Sequence, residues 1–229
     1  MQTCGKGTLG MSFGVSSLTL AAWVNFDVDS ANMLIIAKSS STTEALPFYM
    51  AIRDNGGSAN IECKLKTSAA VYTASTTCSA GTDCIEENTW NHVACVMSGG
   101  KWSIYLNGVD QGRVSISGTV TTDASNDFTI GRFTSGSWPF NGKISDPAVY
   151  SAELSAEQLT DLYSSRKRNK FTDNRQSYHP FDDHVDGTVL TSIGGQQLAD
   201  RTGNGNGCSA VAGAAGGGTL VAEDFINRF

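Results

Sequence analysis

No run of about 18 apolar residues occurs anywhere in this chain, which excludes a membrane-spanning helix. Positive charge is also short. With 16 Lys and Arg against 22 Asp and Glu the net charge is -6, so the clustered cations that phosphate-backbone binding needs are missing and no nucleic-acid partner is expected. Proline numbers only 4 while glycine reaches 25, and Ser, Thr and Asn crowd the intervals between apolar runs. That mixture suits many turns joining short strands and leaves no place for long helices. No Cys-x-x-Cys is present, so the 6 cysteines do not fit the common zinc or redox spacings. Cys78 and Cys84 enclose a short loop and could close a small disulfide, whereas Cys63 and Cys95 lie inside strand-like runs where small buried side chains also belong. The stretch from Met1 to Trp23 carries Lys6, but Gly10, Ser12, Gly14, Ser16 and Ser17 interrupt it, and it does not read as a signal peptide.

What is present is strand periodicity on a chain of 229 residues, a length that suits one large all-β domain with appendages. From Leu18 to Phe26, alternation places Leu18, Leu20, Ala22, Val24 and Phe26 on one face and Thr19, Trp23 and Asn25 on the other, the pattern of a half-buried strand. Further strands are expected at Met33 to Lys38, Pro47 to Arg53, Ala59 to Lys66 and Val71 to Thr76. Asn91 to Met97 and Lys101 to Leu106 form the clearest hairpin, turned by Ser98-Gly99-Gly100, with Asn107-Gly108 making the next turn. Phe128 to Gly131 and Lys143 to Tyr150 complete the set, and Pro147 marks the latter as an edge or a bulge because it lacks an amide donor.

One short helix is expected. Ser155-Ala156-Glu157-Gln158 is a capping box, and Leu154, Leu159, Leu162 and Tyr163 fall near one helical face. The basic run from Arg166 to Lys170 opens a polar linker over 166–177, read as a solvated segment with a processing-protease site as the sharper alternative. Residues 178–229 form a tail whose Gly213 to Gly218 segment precedes a last strand-like stretch, Thr219 to Phe225.

Four stretches in order carry a family resemblance: Leu18 to Val24, Trp90-Asn91-His92-Val93-Ala94, Tyr105-Leu106-Asn107-Gly108, and Phe140 to Tyr150 followed by Leu154-Ser155. Over residues 18 to 163 the chain resembles the laminin-G-like, pentraxin-type domains of the concanavalin A-like superfamily. The resemblance implies an all-β, two-sheet antiparallel jelly-roll sandwich with one short helix after the closing strand. Tyr178-His179-Pro180-Phe181-Asp182, with Leu198 to Asn206 behind it, is similar to the segment that opens such domains, yet here it comes last. Residues 1–165 should therefore lack an edge strand, and an open edge is a template for pairing.

Two fillings follow, with Tyr178, Phe181 and Asp182 as the strand concerned. The tail could close its own sheet, since the linker can reach about 45 Å, or it could insert into a neighbouring subunit and build a ring or filament. A truncated second repeat is the third reading. Either closure brings the chain start near the Gly205 to Cys208 turn, where a Cys4 to Cys208 disulfide is expected.

The resemblance also implies a calcium site at Asp146, Asp200, Gly203 and Asn206, with Ser145 standing where relatives often have a second acid; the alternative is that Asp200 and Asn204 only cap a turn. For ligands, Asp54, Asn55, Asp110, Gln111, Phe133 and Trp138, with Tyr72, could form a rim suited to sugars, although aromatics more often pack in the core. Paired carboxylates for glycoside hydrolysis are poorly provided: Glu86-Glu87 lie in a loop, and Glu223-Asp224 are adjacent and face opposite sides of any strand. The expectation is a non-enzymatic structural or adhesion subunit at an extracellular, cell or virion surface, binding glycans or proteins and assembling through its tail. A monomeric secreted lectin-like module with calcium is the alternative, and a glycoside hydrolase the third reading.

Overall fold

The computed structural model describes residues 16–27, 32–39, 47–54, 58–77, 84–120, 128–133, 135–165, 171, 173 and 175–178, with short strands at 2–4, 188–189, 197–198, 208–210 and 221–222. In chain order the elements are β1 (Gln2–Cys4), β2 (Leu18–Phe26), β3 (Met33–Lys38), β4 (Phe48–Asp54), β5 (Ala59–Lys66), β6 (Val71–Ser75), β7 (Asn91–Ser98), β8 (Lys101–Leu106) and β9 (Val109–Ser115). After them come β10 (Phe128–Ile130), β11 (Gly142–Tyr150), α1 (Ala156–Ser165), β12 (Arg175–Tyr178), β13 (Thr188–Val189), β14 (Gln197–Leu198), β15 (Cys208–Ala210) and β16 (Val221–Ala222). Two antiparallel sheets result. One runs β14-β15-β1-β10-β3-β4-β5-β6, the other β12-β11-β2-β7-β8-β9, and β13 pairs with β16 apart from both.

Alternation along the strands explains the core between the sheets. Leu18, Leu20, Ala22, Val24 and Phe26 of β2 meet Phe48, Met50 and Ile52 of β4 and Ile61, Cys63 and Leu65 of β5, all essentially inaccessible. Cys63 and Cys95 form a disulfide with Cα atoms 6.2 Å apart, joining β5 of one sheet to β7 of the other through that core. Beside it, the Trp102 indole donates to the Cys63 carbonyl at 2.9 Å, which satisfies the one polar atom of a fully buried ring. Cys84 is disulfide-bonded as well.

β2 is not half-buried as its alternation suggests. Its second face is covered too, because α1 lies over the six-stranded sheet and forms a separate apolar cluster of Ala21, Ala94, Val96, Ala148, Tyr150, Leu154 and Leu159. Trp23 stacks on Tyr163 of the helix at 5.7 Å between ring centroids and meets His92 edge-on at 5.3 Å. The helix start is the capping box read from the sequence: the Ser155 amide donates to Gln158 Oε1 at 2.8 Å, and the Gln158 amide donates to Ser155 Oγ at 3.2 Å. Thr19, fully buried on the same face, donates to the Ala152 carbonyl at 2.8 Å and accepts from the Leu154 amide at 3.0 Å, fixing the entry to the helix.

Glycine is obligatory at the start of the closing strand. Gly142 pairs with Phe26 at a φ of 138°, and a Cβ there would meet the Asn25 carbonyl oxygen and stand 2.7 Å from the Phe26 Cα. Further along, the pairing of β11 with β2 breaks register between Ser145 and Ala148, the bulge that Pro147 foreshadows.

The tail returns to its own body. β12 pairs antiparallel with β11, setting Ala148 against Tyr178, Val149 against Ser177 and Tyr150 against Arg175. The edge beside the closing strand is thus filled by the chain's own tail, the first of the two fillings considered. Strand structure also begins three positions earlier than the linker boundary at 177 implied, because Arg175 is buried and hydrogen-bonded to Tyr150. In the other sheet β15 pairs with β1 and places Cys208 opposite Cys4. Phe181, Asp182 and Cys78 lie outside the described residues.

His92 sits fully enclosed between Trp23 and the β8–β9 turn, where its amide donates to Asn107 Oδ1 at 2.8 Å while its Nδ1 has no hydrogen-bond partner. Burial pushes its pKa down from 6.5 to about 4. Because the folded value lies below the unfolded one, the neutral ring favours the fold above pH 6.5 and loses that contribution as pH falls toward 4, up to about 3 kcal/mol. Urea unfolding midpoints of the native chain and His92→Gln should therefore diverge in pH slope across this window, the variant having the flatter one; equal slopes would refute the assignment.

Candidate functional site

The outer face of the eight-stranded sheet carries a groove. On β4 the outward set is Tyr49, Ala51 and Arg53; on β5 it is Asn60, Glu62 and Lys64; on β6 it is Thr73 and Ser75, and the register puts Arg53 opposite Asn60 and Glu62 between Ala51 and Ser75. Arg53, Asp54, Asn60, Glu62, Ser75 and Thr76 line a cleft of about 240 Å³.

Its polar groups are held in place. Arg53 Nε lies 3.6 Å from Glu62 Oε2, and the Tyr49 hydroxyl donates to Glu62 Oε1. Burial foremost, and then the Glu62 hydrogen bond, push the Tyr49 hydroxyl far above the usual phenol range, so it remains a donor. Thr76 Oγ1 accepts the Ile61 amide at 3.0 Å and ends β6 against β5. Asn60 donates to the Ser58 carbonyl at 3.3 Å.

An aromatic wall stands beside the cleft. The segment 131–140 folds over β3 and β4, pinned by bonds from the Leu34 amide to the Trp138 carbonyl at 2.9 Å and from the Gly131 amide to the Ile35 carbonyl at 3.1 Å. Phe133 is fully buried there with Leu34, Ala37, Tyr49 and Ala51. Trp138 packs on this cluster but remains half-buried, with a φ of 54° that is uncommon for a bulky residue. The Arg53 guanidinium lies 4.3 Å from the centre of the Trp138 ring. The indole thus lies against Arg53, one of the residues lining a cleft that also offers two carboxylates, an amide and two hydroxyls. Such a surface can stack on an apolar ring face while exchanging directed hydrogen bonds with its hydroxyl groups.

Of the residues proposed from sequence for a ligand rim, Asp54 lines this cleft and Trp138 lies against the cleft's Arg53. Phe133 does not belong to a rim, since it supports Trp138 from beneath. Asp110 and Gln111 are on β9 in the opposite sheet, where Asp110 pairs with Arg113 at 3.2 Å and accepts the Gly112 amide at 2.9 Å. Tyr72 packs against the core and shares a hydrogen bond of 2.9 Å with Ser117. Asn55 lies outside the described residues. Arg53, Asn60, Glu62, Ser75 and Thr76 were not anticipated, although the alternation of Asn60, Glu62 and Lys64 with Ile61, Cys63 and Leu65 carried the signal.

Asp146 sits in the β11 bulge at a φ of 51° and accepts the Ser145 hydroxyl at 3.0 Å. The other proposed calcium donors, Asp200, Gly203 and Asn206, lie outside the described residues, among which no group of three or more His, Cys, Asp or Glu is placed to hold a metal. Glu86 is exposed and Glu87 half-buried in the loop before β7.

Residues 8–160 match the family model described as the concanavalin A-like lectin/glucanases superfamily. No curated protein matches the chain. Among solved structures, a Bacteroides ovatus ATCC 8483 protein provisionally described as carbohydrate-binding superposes with a TM-score of 0.67 at 21% identity, over 96% of this chain and 59% of its own. This chain therefore spans little more than half of that protein. The heptameric SAP-like pentraxin of Limulus polyphemus gives 0.51 at 20% identity over 71% of this chain and 75% of its own. The CBM40 domain of the Ruminococcus gnavus IT-sialidase, also solved with α2,3-sialyllactose bound, gives 0.52 at 14% identity over 72% and 98%. At such identities the likeness is one of fold.

Proposed function

Because this chain belongs to the concanavalin A-like lectin/glucanase superfamily, we propose that it is a glycan-binding module whose contact surface is the outer face of the eight-stranded sheet. The observation that carries this reading is Trp138, held half-buried against Arg53 at the rim of a polar cleft. In this reading the indole is the platform for a sugar ring, and Arg53, Asn60, Glu62 and Ser75 exchange hydrogen bonds with its hydroxyls. A fold neighbour provisionally described as carbohydrate-binding and a CBM40 domain solved with a bound sugar support the reading. Binding is favoured over hydrolysis because Glu62, one of the two carboxylates lining the cleft, already accepts from Tyr49 and pairs with Arg53.

Location at an extracellular or particle surface belongs to the same proposal. A disulfide buried between the two sheets suits folding under oxidising conditions. The test is a glycan array followed by calorimetry: Trp138→Ala should weaken the best ligand about tenfold or more while leaving the melting temperature within a few degrees. Unchanged affinity in that variant would move the site elsewhere.

A further inference from the structure

We infer that this groove selects uncharged glycans and discriminates against those whose contacting residue carries a carboxylate. The inference rests on the glycan-binding reading above and adds the class of ligand. Two carboxylates, Asp54 and Glu62, line the cleft with a single guanidinium, Arg53. That cation is already engaged, since Nε lies 3.6 Å from Glu62 and the guanidinium is centred 4.3 Å from the Trp138 ring. An arriving carboxylate would have to take Arg53 from Glu62, leaving a partly buried anion without its counter-charge, or else accept proximity to Asp54.

The next cation on this face does not relieve the imbalance. Lys64 stands over the Tyr49 ring at 5.8 Å and is not among the residues lining the cleft. The net charge of -6 adds a general repulsion of the same sign. Neutral sugars face none of this, because carboxylates and the Asn60 amide are good partners for vicinal hydroxyls.

The test uses ligand pairs that share one sugar skeleton and differ in whether the carboxyl group is free or esterified, titrated calorimetrically into the full chain: the methyl ester of α2,3-sialyllactose against the free acid, and the methyl ester of trigalacturonic acid against the free acid. The expected result is that a neutral member binds and loses about tenfold in Trp138→Ala, that its acidic counterpart binds about tenfold more weakly, and that Asp54→Asn narrows this gap. Acidic members that bind as tightly as neutral ones, with the same dependence on Trp138, would overturn the selectivity while leaving the glycan reading intact. A gap that Asp54→Asn leaves unchanged would also overturn it. Binding by no member of either class that depends on Trp138 would remove both readings together.

Discussion

Cys63→Ala/Cys95→Ala is expected to destabilise the protein by about 4 kcal/mol and to lower its melting temperature by roughly 10 °C. The cross-link closes a segment with a sequence separation of 32, so in the chain-entropy account it restricts the unfolded ensemble substantially. Its position adds to the effect. Both residues are completely buried, one on each sheet, and the Trp102 indole beside them donates to the Cys63 carbonyl. Losing the bridge removes the covalent tie between the two layers within the core. A small loss is also expected from the cavity left by two deleted sulfur atoms. Calorimetric melting of the double variant, and of the native chain with and without reductant, checks the figure. A change below about 1 kcal/mol would mean that the sheets are held by packing alone.

The groove and the core differ in how far they can be read from sequence. The inward residues of β2, β4, β5 and β7 announce themselves, since alternation fixes which side chains share a face before any partner strand is known. The second burial of β2 does not. Ala21 and Trp23 are covered by α1, and the capping box places the start of that helix without saying which surface it will lie on. β9 leaves almost no signal: from Val109 to Ser115 its side chains are nearly all exposed, and it exists through pairing with β8. At the site, polar alternation on β5 and the aromatic pair Phe133 and Trp138 are each visible in the chain. Which aromatic is buried and which stays half-exposed beside Arg53 is decided by the course of 131–140 across β3, a tertiary event with no local pattern.

Truncation after Ser165 should have a still larger effect, about 5 kcal/mol or outright loss of the folded monomer. It removes β12 and with it the hydrogen-bonded neighbour of Ala148, Val149 and Tyr150, leaving the β11 edge open. Tyr150 is the most exposed to this change. It is buried at 3% accessibility, and its hydroxyl pKa is raised by burial while the hydrogen bond from Arg175 works against the rise. Without β12 that phenol loses its Arg175 partner, although α1 still packs on the outer cluster it belongs to. Truncation after Tyr178 separates the two services of the tail, because it keeps β12 but deletes β15, the partner of β1. The shorter chain should therefore form large species in light scattering, and a peptide covering 166–182 should return it to a monomer, whereas the longer chain should stay monomeric with a smaller loss of stability. If both truncated chains melt and sediment as the full chain does, the strand at 175–178 contributes nothing to closing the sheet. The pairing of β12 with β11 depends on register, and chain order enters only through the length of the connecting segment.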